Sequence, residues 1–268
     1  MDLIEAIFLG IVQGATEFLP ISSSGHLVLF PALFGLPEPG LTLVSIAHQG
    51  TMVAVLIYFW RDLWAIVRGV VQGLARRQPL GTADARLGWL IVAGTIPAGL
   101  AGLLFEDFFE ELFGEPRYTA LFLLGTALLL IAGERLRRGE KSIGQLSLLD
   151  AIVVGLFQMV ALLPGISRSG STITAGLIRG LDREPAARFS FLLGVPAIAG
   201  AGLLALVDLL QAADQGANWT LYAATFIAAA LTGYACIYFL LAWLRSHSLY
   251  LFAAYCTVLG LIALVVLP

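Results

Sequence analysis

The chain reads as a series of apolar runs, each about as long as a bilayer is thick, separated by short polar connections. A spanning helix needs roughly 20 mostly apolar residues. Leu43 to Trp60, Leu87 to Phe105, Tyr118 to Gly133, Phe189 to Leu209, Leu221 to Leu244 and Leu249 to Leu267 approach that length and predict six membrane spans. Two further apolar stretches break in the middle. One is the N-terminal pair of arms on either side of Ser22 to His26, and the other runs from Leu149 to Leu181. Pro, Gly, Ser and Thr interrupt both. Irregular backbone at membrane depth survives only where protein buries it or a cavity wets it, so both are expected to be re-entrant hairpins.

The two broken stretches resemble each other. Gly10, Gln13, Ile21, Ser22, Ser24 and Gly25 recur at one constant offset as Gly155, Gln158, Ile166, Ser167, Ser169 and Gly170, and each copy precedes three spans. An odd number of spans turns the second copy upside down, the inverted-repeat plan of many transporters. The expectation is an all-α polytopic membrane protein, a single domain over 1–268 with repeat 1 covering about 1–140 and repeat 2 about 146–268. Positive charge sets its orientation. Arg61, Arg68, Arg76, Arg77 and Arg86, then Arg135, Arg137, Arg138 and Lys141, then Arg179, Arg183 and Arg188, with Arg245 later, mark inner connections. Glu106, Asp107, Glu110, Glu111 and Glu115, with Asp208 and Asp214, mark outer ones. The first hairpin then enters from outside and the second from inside, so their tips meet near the midplane.

Composition agrees with this reading and removes other classes. With 59% hydrophobic residues, 12% charged ones and a mean hydropathy of +0.91, 268 residues carry more apolar surface than a soluble domain hides. A net charge of -3 argues against a nucleic-acid partner. The first apolar run lacks the basic start and small-residue cleavage site of a removable signal. Cys236 and Cys256 sit inside apolar runs at a spacing that fits neither zinc nor a redox pair, and read as core.

Candidate chemistry lies in the breaks. An acid, three serines and an imidazole fall between short hydrophobic arms at Glu17, Ser22, Ser23, Ser24 and His26, with Gly25 among them. Ionisable groups at that depth are functional-site candidates by default. The second break holds Ser167, Arg168, Ser169, Gly170, Ser171 and Thr172. Arginine's rigid fork suits phosphate oxygens, and hydroxyls and amides at a helix start add donors where the dipole favours an anion. Together the two breaks form a two-sided phosphate cradle with Glu17 and His26 at its rim. Ser22, Ser24, Ser169 and Ser171 could equally serve close helix packing. His48 fits a hydrogen-bonded core residue, His247 an interfacial one, and the acidic run from Glu106 to Glu115 a solvated loop.

Gln13 and Glu17 with the Ser-Ser-Ser-Gly-His run, and Pro164 to Ser169 followed by Thr172, resemble the two signature motifs of the undecaprenyl-pyrophosphate phosphatases of the bacitracin-resistance type. The resemblance extends along nearly the whole chain. It implies a bacterial inner-membrane enzyme that removes the terminal phosphate from a C55 isoprenyl diphosphate on the outer side of the membrane. A divalent cation, Mg2+ or Ca2+, and a homodimer are implied with it. By position it places the second acid on Glu17, the serine and histidine on Ser23 and His26, and the arginine signature on Ser167, Arg168 and Thr172. Many relatives have Glu where this chain has Gln13, which can orient a ligand but cannot take a proton.

Several roles stay open on the residues alone. Arg168 with Ser167 and Thr172 would hold the diphosphate, with Gln13, Ser22, Ser24, Gly25, Ser169 and Gly170 lining the cradle. Ser23 would be the nucleophile or orient water with Glu17 or His26 as base, or His26 itself would attack. Glu17 would bind the cation, or would simply pair with Arg168. The competing functional class is a transporter or flippase of polyprenyl phosphate. A carrier has no use for an activated hydroxyl beside an acid, which favours the enzyme.

Overall fold

The computed structural model describes residues 2–35, 39–113, 115–139, 141–212 and 218–267, with the side chains of 106, 110, 113 and 201–212 also outside the description. Twelve α-helices and one 3-10 turn are present among these residues, with no strand beyond an isolated bridge between Lys141 and Leu181. In order they are α1 (Leu3–Phe18), α2 (Ser23–Phe34), α3 (Leu41–Tyr58), α4 (Trp60–Ala75), α5 (Ala83–Leu104), α6 (Glu106–Phe113), α7 (Pro116–Leu136), α8 (Leu148–Val160), α9 (Arg168–Ile178), α10 (Arg183–Ala212), α11 (Trp219–Leu244) and α12 (Tyr250–Val266). Four of them, α3, α5, α7 and α11, are long and apolar enough to cross a membrane. The two broken stretches appear as the short pairs α1/α2 and α8/α9, each reversing at a serine and proline turn.

Local sequence explains these breaks. Each pair opens with a capping box, Asp2 with Glu5 on α1 and Ser147 with Asp150 on α8, which satisfies first-turn amides before the apolar run begins. Each second arm starts at a serine cap. Ser22 Oγ accepts from the Gly25 amide and Ser167 Oγ from the Gly170 amide. Gly165 sits at φ 94 ahead of the second cap, where a Cβ would strike the Thr119 carbonyl, so only glycine fits.

Packing crosses between the halves. α1 lies against α11 and α8 against α5, so the first arm of each hairpin rests on a long helix from the other half. Small residues allow it. A Cβ on Gly14 would come within 2.6 Å of the Ala229 carbonyl, and one on Gly155 would run into the Gly94 carbonyl. Close backbone approach of this kind drives association where lipid removes the hydrophobic effect between helices.

Two connections read as loops are helical. Arg61 to Ala75 forms most of α4, and Glu106 to Phe113 forms α6, because apolar positions recur at helical spacing along each. Asp107, Glu111 and Glu115 are exposed, as a solvated acidic segment requires. The side chains of Glu106, Glu110 and Asp208, and the whole of Asp214, fall outside the described residues. The arginines do more than mark topology. Arg183 forks onto buried Glu134 at 2.6 Å, Arg179 meets Asp150 at 2.6 Å and Arg188 meets Asp62 at 2.8 Å. Glu134 also accepts from the Leu249 amide, so one carboxylate ties the end of α7 to the starts of α10 and α12.

If the Gly94 to Gly155 crossing holds the halves together, Gly155→Val should overpack it. Its thermal unfolding in detergent should show a loss of about 1–3 kcal/mol or more, since main chain cannot yield as a side chain does.

Candidate active site

The tips of the two hairpins interlock. The Gly165 amide approaches Ser24 Oγ at 3.4 Å, and Ser169 Oγ donates to the Leu19 carbonyl at 3.2 Å. Between them Arg168 reaches across to Glu17, Nη2 to Oε1, at 2.6 Å. The pair is well shielded, with the Glu17 side chain 6% exposed and that of Arg168 18%.

Glu17 is the hub of the site. Its second oxygen, Oε2, accepts from Ser23 Oγ at 2.7 Å and from Gln13 Nε2 at 2.9 Å. Ser23 is half-buried at the first position of α2, so its hydroxyl is both aimed at a carboxylate and open on its other side. A hydroxyl that donates to a carboxylate in this way has a proton acceptor in place. Because the amides of Gly25 and Gly170 are used by their caps, the remaining first-turn amides at Ser23, Ser24, Arg168 and Ser169 are the ones with no intrahelical acceptor. The first residues of these two helices, Ser23 and Arg168, meet at Glu17.

Two residues that hold Glu17 keep an unpaired atom: among the described residues, Gln13 Oε1 and Arg168 Nη1 are buried without a hydrogen-bond partner. A bound group that both accepts and donates would satisfy them. Gly194 on α10 leaves the room that Arg168 needs, since a Cβ there would collide with the guanidinium.

The other predicted residues take supporting places. Ser22 and Ser167 cap their helices, and their hydroxyls lie 3.3 and 3.2 Å from those of Ser24 and Ser169. Thr172 Oγ1 donates to the Arg168 carbonyl at 2.7 Å and lies 2.6 Å from Ser190 Oγ, holding α9 to α10. His26 is buried and spoken for on both ring nitrogens. Nδ1 donates to the Ser22 carbonyl at 2.7 Å, which leaves Nε2 to accept from the Tyr255 hydroxyl at 2.7 Å, with the two rings stacked at 3°. The structure thus does not bring His26 to Ser23 or Glu17.

A different histidine approaches the acid. His48 Nε2 stands 3.8 Å from Glu17 Oε2 while Nδ1 donates to the Val44 carbonyl. Sequence reading placed His48 in the core, because no acid lies near it in the chain and its approach to Glu17 is made only by tertiary contact. Gly194, Ser190 and Tyr255 were missed for the same reason, each meeting the site only through tertiary contact. Ser22 at φ 71 is the one local signal of strain at the turn.

The oxygen donors at the site are few, and both Glu17 oxygens already accept hydrogen bonds. Glu17 and the free Gln13 oxygen offer two oxygen ligands, and no group of three or more His, Cys, Asp or Glu occurs among the described residues. A hard divalent cation there would complete its shell from phosphate and water, as Mg2+ commonly does.

A double-mutant cycle on Glu17→Gln and Arg168→Met, read by thermal unfolding, should give a coupling of about 1–3 kcal/mol. Coupling near zero would mean that the tips are not joined by this pair.

Comparison with known proteins follows the same lines. Residues 6–262 match the family described as Bacitracin resistance protein BacA. A Thermomicrobium roseum protein named undecaprenyl-diphosphatase is 47% identical over 99% of this chain and 98% of its own length. Relatives of the same name from Chloroherpeton thalassium and Methanosphaera stadtmanae are 46% and 42% identical, over 100% and 99% of this chain and 97% and 98% of theirs. With its full length and both interlocked motifs matched, the chain belongs to the bacitracin resistance protein BacA family.

Proposed function

We propose that this protein is a membrane-embedded hydrolase that converts undecaprenyl diphosphate to the monophosphate and inorganic phosphate, recycling the lipid carrier for cell-wall synthesis and conferring bacitracin resistance. The observation that carries the chemistry is the Ser23 hydroxyl donating to Glu17 Oε2 at 2.7 Å while Arg168 holds Oε1 at 2.6 Å. The shared name of relatives matching nearly the whole chain supports the substrate.

The chain's own groups account for the steps. The terminal phosphate takes over the Arg168 fork, filling Nη1 and drawing Nη2 from Glu17, while the free amides at the starts of α2 and α9 bind its remaining oxygens. Losing its counter-charge makes Glu17 a better base. As Ser23 Oγ bonds to the terminal phosphorus, its proton passes to Glu17 and the bridging oxygen departs with its electron pair on the lipid monophosphate. Glu17 hands that proton to the departing lipid monophosphate; water then attacks the phosphoserine, its proton passing by way of the Glu17 carboxylate to Ser23 Oγ as the serine–phosphate bond breaks and phosphate leaves. Arg168 offsets the charge that spreads over the transferring oxygens. Glu17 and Gln13 Oε1 would hold a divalent cation, Mg2+ or Ca2+, which when bound would neutralise phosphate charge. His26, locked between Ser22 and Tyr255, fixes the turn that presents Ser23. His48 Nε2 faces the Glu17 carboxylate at 3.8 Å.

The finer architecture belongs to the same reading. Six spans and two re-entrant hairpins in an inverted repeat are supported by matching capping boxes, matching serine caps, and the reciprocal packing of α1 on α11 and α8 on α5. The arginine distribution supports a bacterial inner-membrane location with the site opening to the outer side. A homodimer is proposed on the family resemblance.

Purified protein should release phosphate from a C55 or C15 isoprenyl diphosphate in the presence of Mg2+, Ca2+ or Mn2+. Glu17→Gln and Arg168→Lys should lower the rate about 10²-fold or more while eluting as folded protein, because one removes the base and the other the fork. His48→Leu should lower it less. A wild type that releases no phosphate yet moves labelled lipid between leaflets would instead be a flippase.

A further inference from the structure

Helix α4 is unlike its neighbours. It joins two candidate spans, α3 and α5, yet is itself neither long nor apolar enough to cross a membrane. Phe59 alone separates it from α3, so it starts at the membrane boundary. Ile66, Gly69 and Gly73 are buried, and a Cβ on Gly69 would sit 2.9 Å from the Ala85 amide, which fixes the face packed on α5. The opposite face is bare. Trp60, Trp64, Val67, Val71 and Leu74 recur at alternating steps of four and three and are each more than half exposed, at 57%, 65%, 54%, 60% and 54%.

Charge decides what covers this stripe. Arg61 and Arg68 project along one flank, both exposed, and Arg76 and Arg77 continue past the end of the helix. The helix has one acid, Asp62, and it is engaged by Arg188 at 2.8 Å. Among the described residues no acid pairs with Arg61 or Arg68, and Arg61 instead stacks over the Trp60 ring, 5.4 Å from its centroid. A second copy docking stripe to stripe would bring arginine rows together with no acid to answer them. A lipid surface has no such conflict, since its acyl boundary takes the apolar stripe and its phosphates take the arginines.

We propose that α4 is an in-plane interfacial helix that binds the headgroups of anionic phospholipids, with Arg61 and Arg68 as the headgroup ligands and Trp60, Trp64, Val67, Val71 and Leu74 seated in the leaflet. The surface is separate from the Glu17, Ser23 and Arg168 site. It holds whether or not the proposed phosphatase chemistry is correct.

The test uses full-length protein in nanodiscs, with Trp64 as reporter and the other tryptophans changed to Phe, and compares quenching by spin-labelled phosphatidylglycerol with that by spin-labelled phosphatidylcholine. Phosphatidylglycerol should quench more strongly, on the order of fivefold in relative association for each arginine that reaches a headgroup, and high salt should erase the difference. The pair Arg61→Gln and Arg68→Gln should also erase it while leaving phosphate release unchanged. Equal quenching by both lipids in the starting protein would overturn headgroup recognition. Absence of quenching by either, with cross-linking of two copies through cysteines placed at Val67 and Val71, would show that another subunit covers the stripe.

Discussion

The structure turns on an ion pair made across two broken helices. Glu17 from one hairpin and Arg168 from the other meet at 2.6 Å in a place where neither charge could stay alone. Each therefore requires the other hairpin to be present and correctly seated. The interlocking contacts around them, Ser24 with Gly165 and Ser169 with Leu19, are weaker and neutral, and they set the register in which the charged pair can form.

That requirement shapes the rest of the fold. Short arms cannot span a bilayer, so each is laid on a long helix of the other half through glycine, α1 on α11 and α8 on α5. The breaks end in serine caps that consume some first-turn amides and leave others free. The result is a junction where a carboxylate meets a hydroxyl and a guanidinium, at two helix starts that keep free amides. The same ion pair that seats the hairpins at rest is the one an incoming phosphate can exchange, since phosphate offers Arg168 the oxygens that Glu17 now provides.

Much of this was legible in the chain. The offset from Gly10 to Gly155 exposed the repeat, the apolar runs located the long helices to within a few residues, and the cost of charge in lipid singled out Glu17 and Arg168. Their partnership was an open alternative to catalysis, and the geometry shows the pair made at 2.6 Å. What the sequence hid was tertiary. His48 lies on α3 with no acid near it in the chain, and only the fold brings it to 3.8 Å from Glu17. His26 shares the serine turn yet points to Tyr255, because its ring is captured by the Ser22 carbonyl. α4 was masked by its own arginines, which read as a topology signal, and Gly194 shows its purpose only beside the Arg168 guanidinium.

The division of labour is the central claim: one hairpin supplies Ser23 and Glu17 as the reacting groups, and the other supplies the charge that holds the phosphate. Phosphate release by Ser23→Ala and His26→Ala, compared under one assay on folded protein, tests it most directly. The account predicts the deeper loss, about 10³-fold or more, for Ser23→Ala and a shallower one for His26→Ala. A Ser23→Ala enzyme that keeps most of its rate while His26→Ala is inactive would contradict it and place the attacking group on the imidazole.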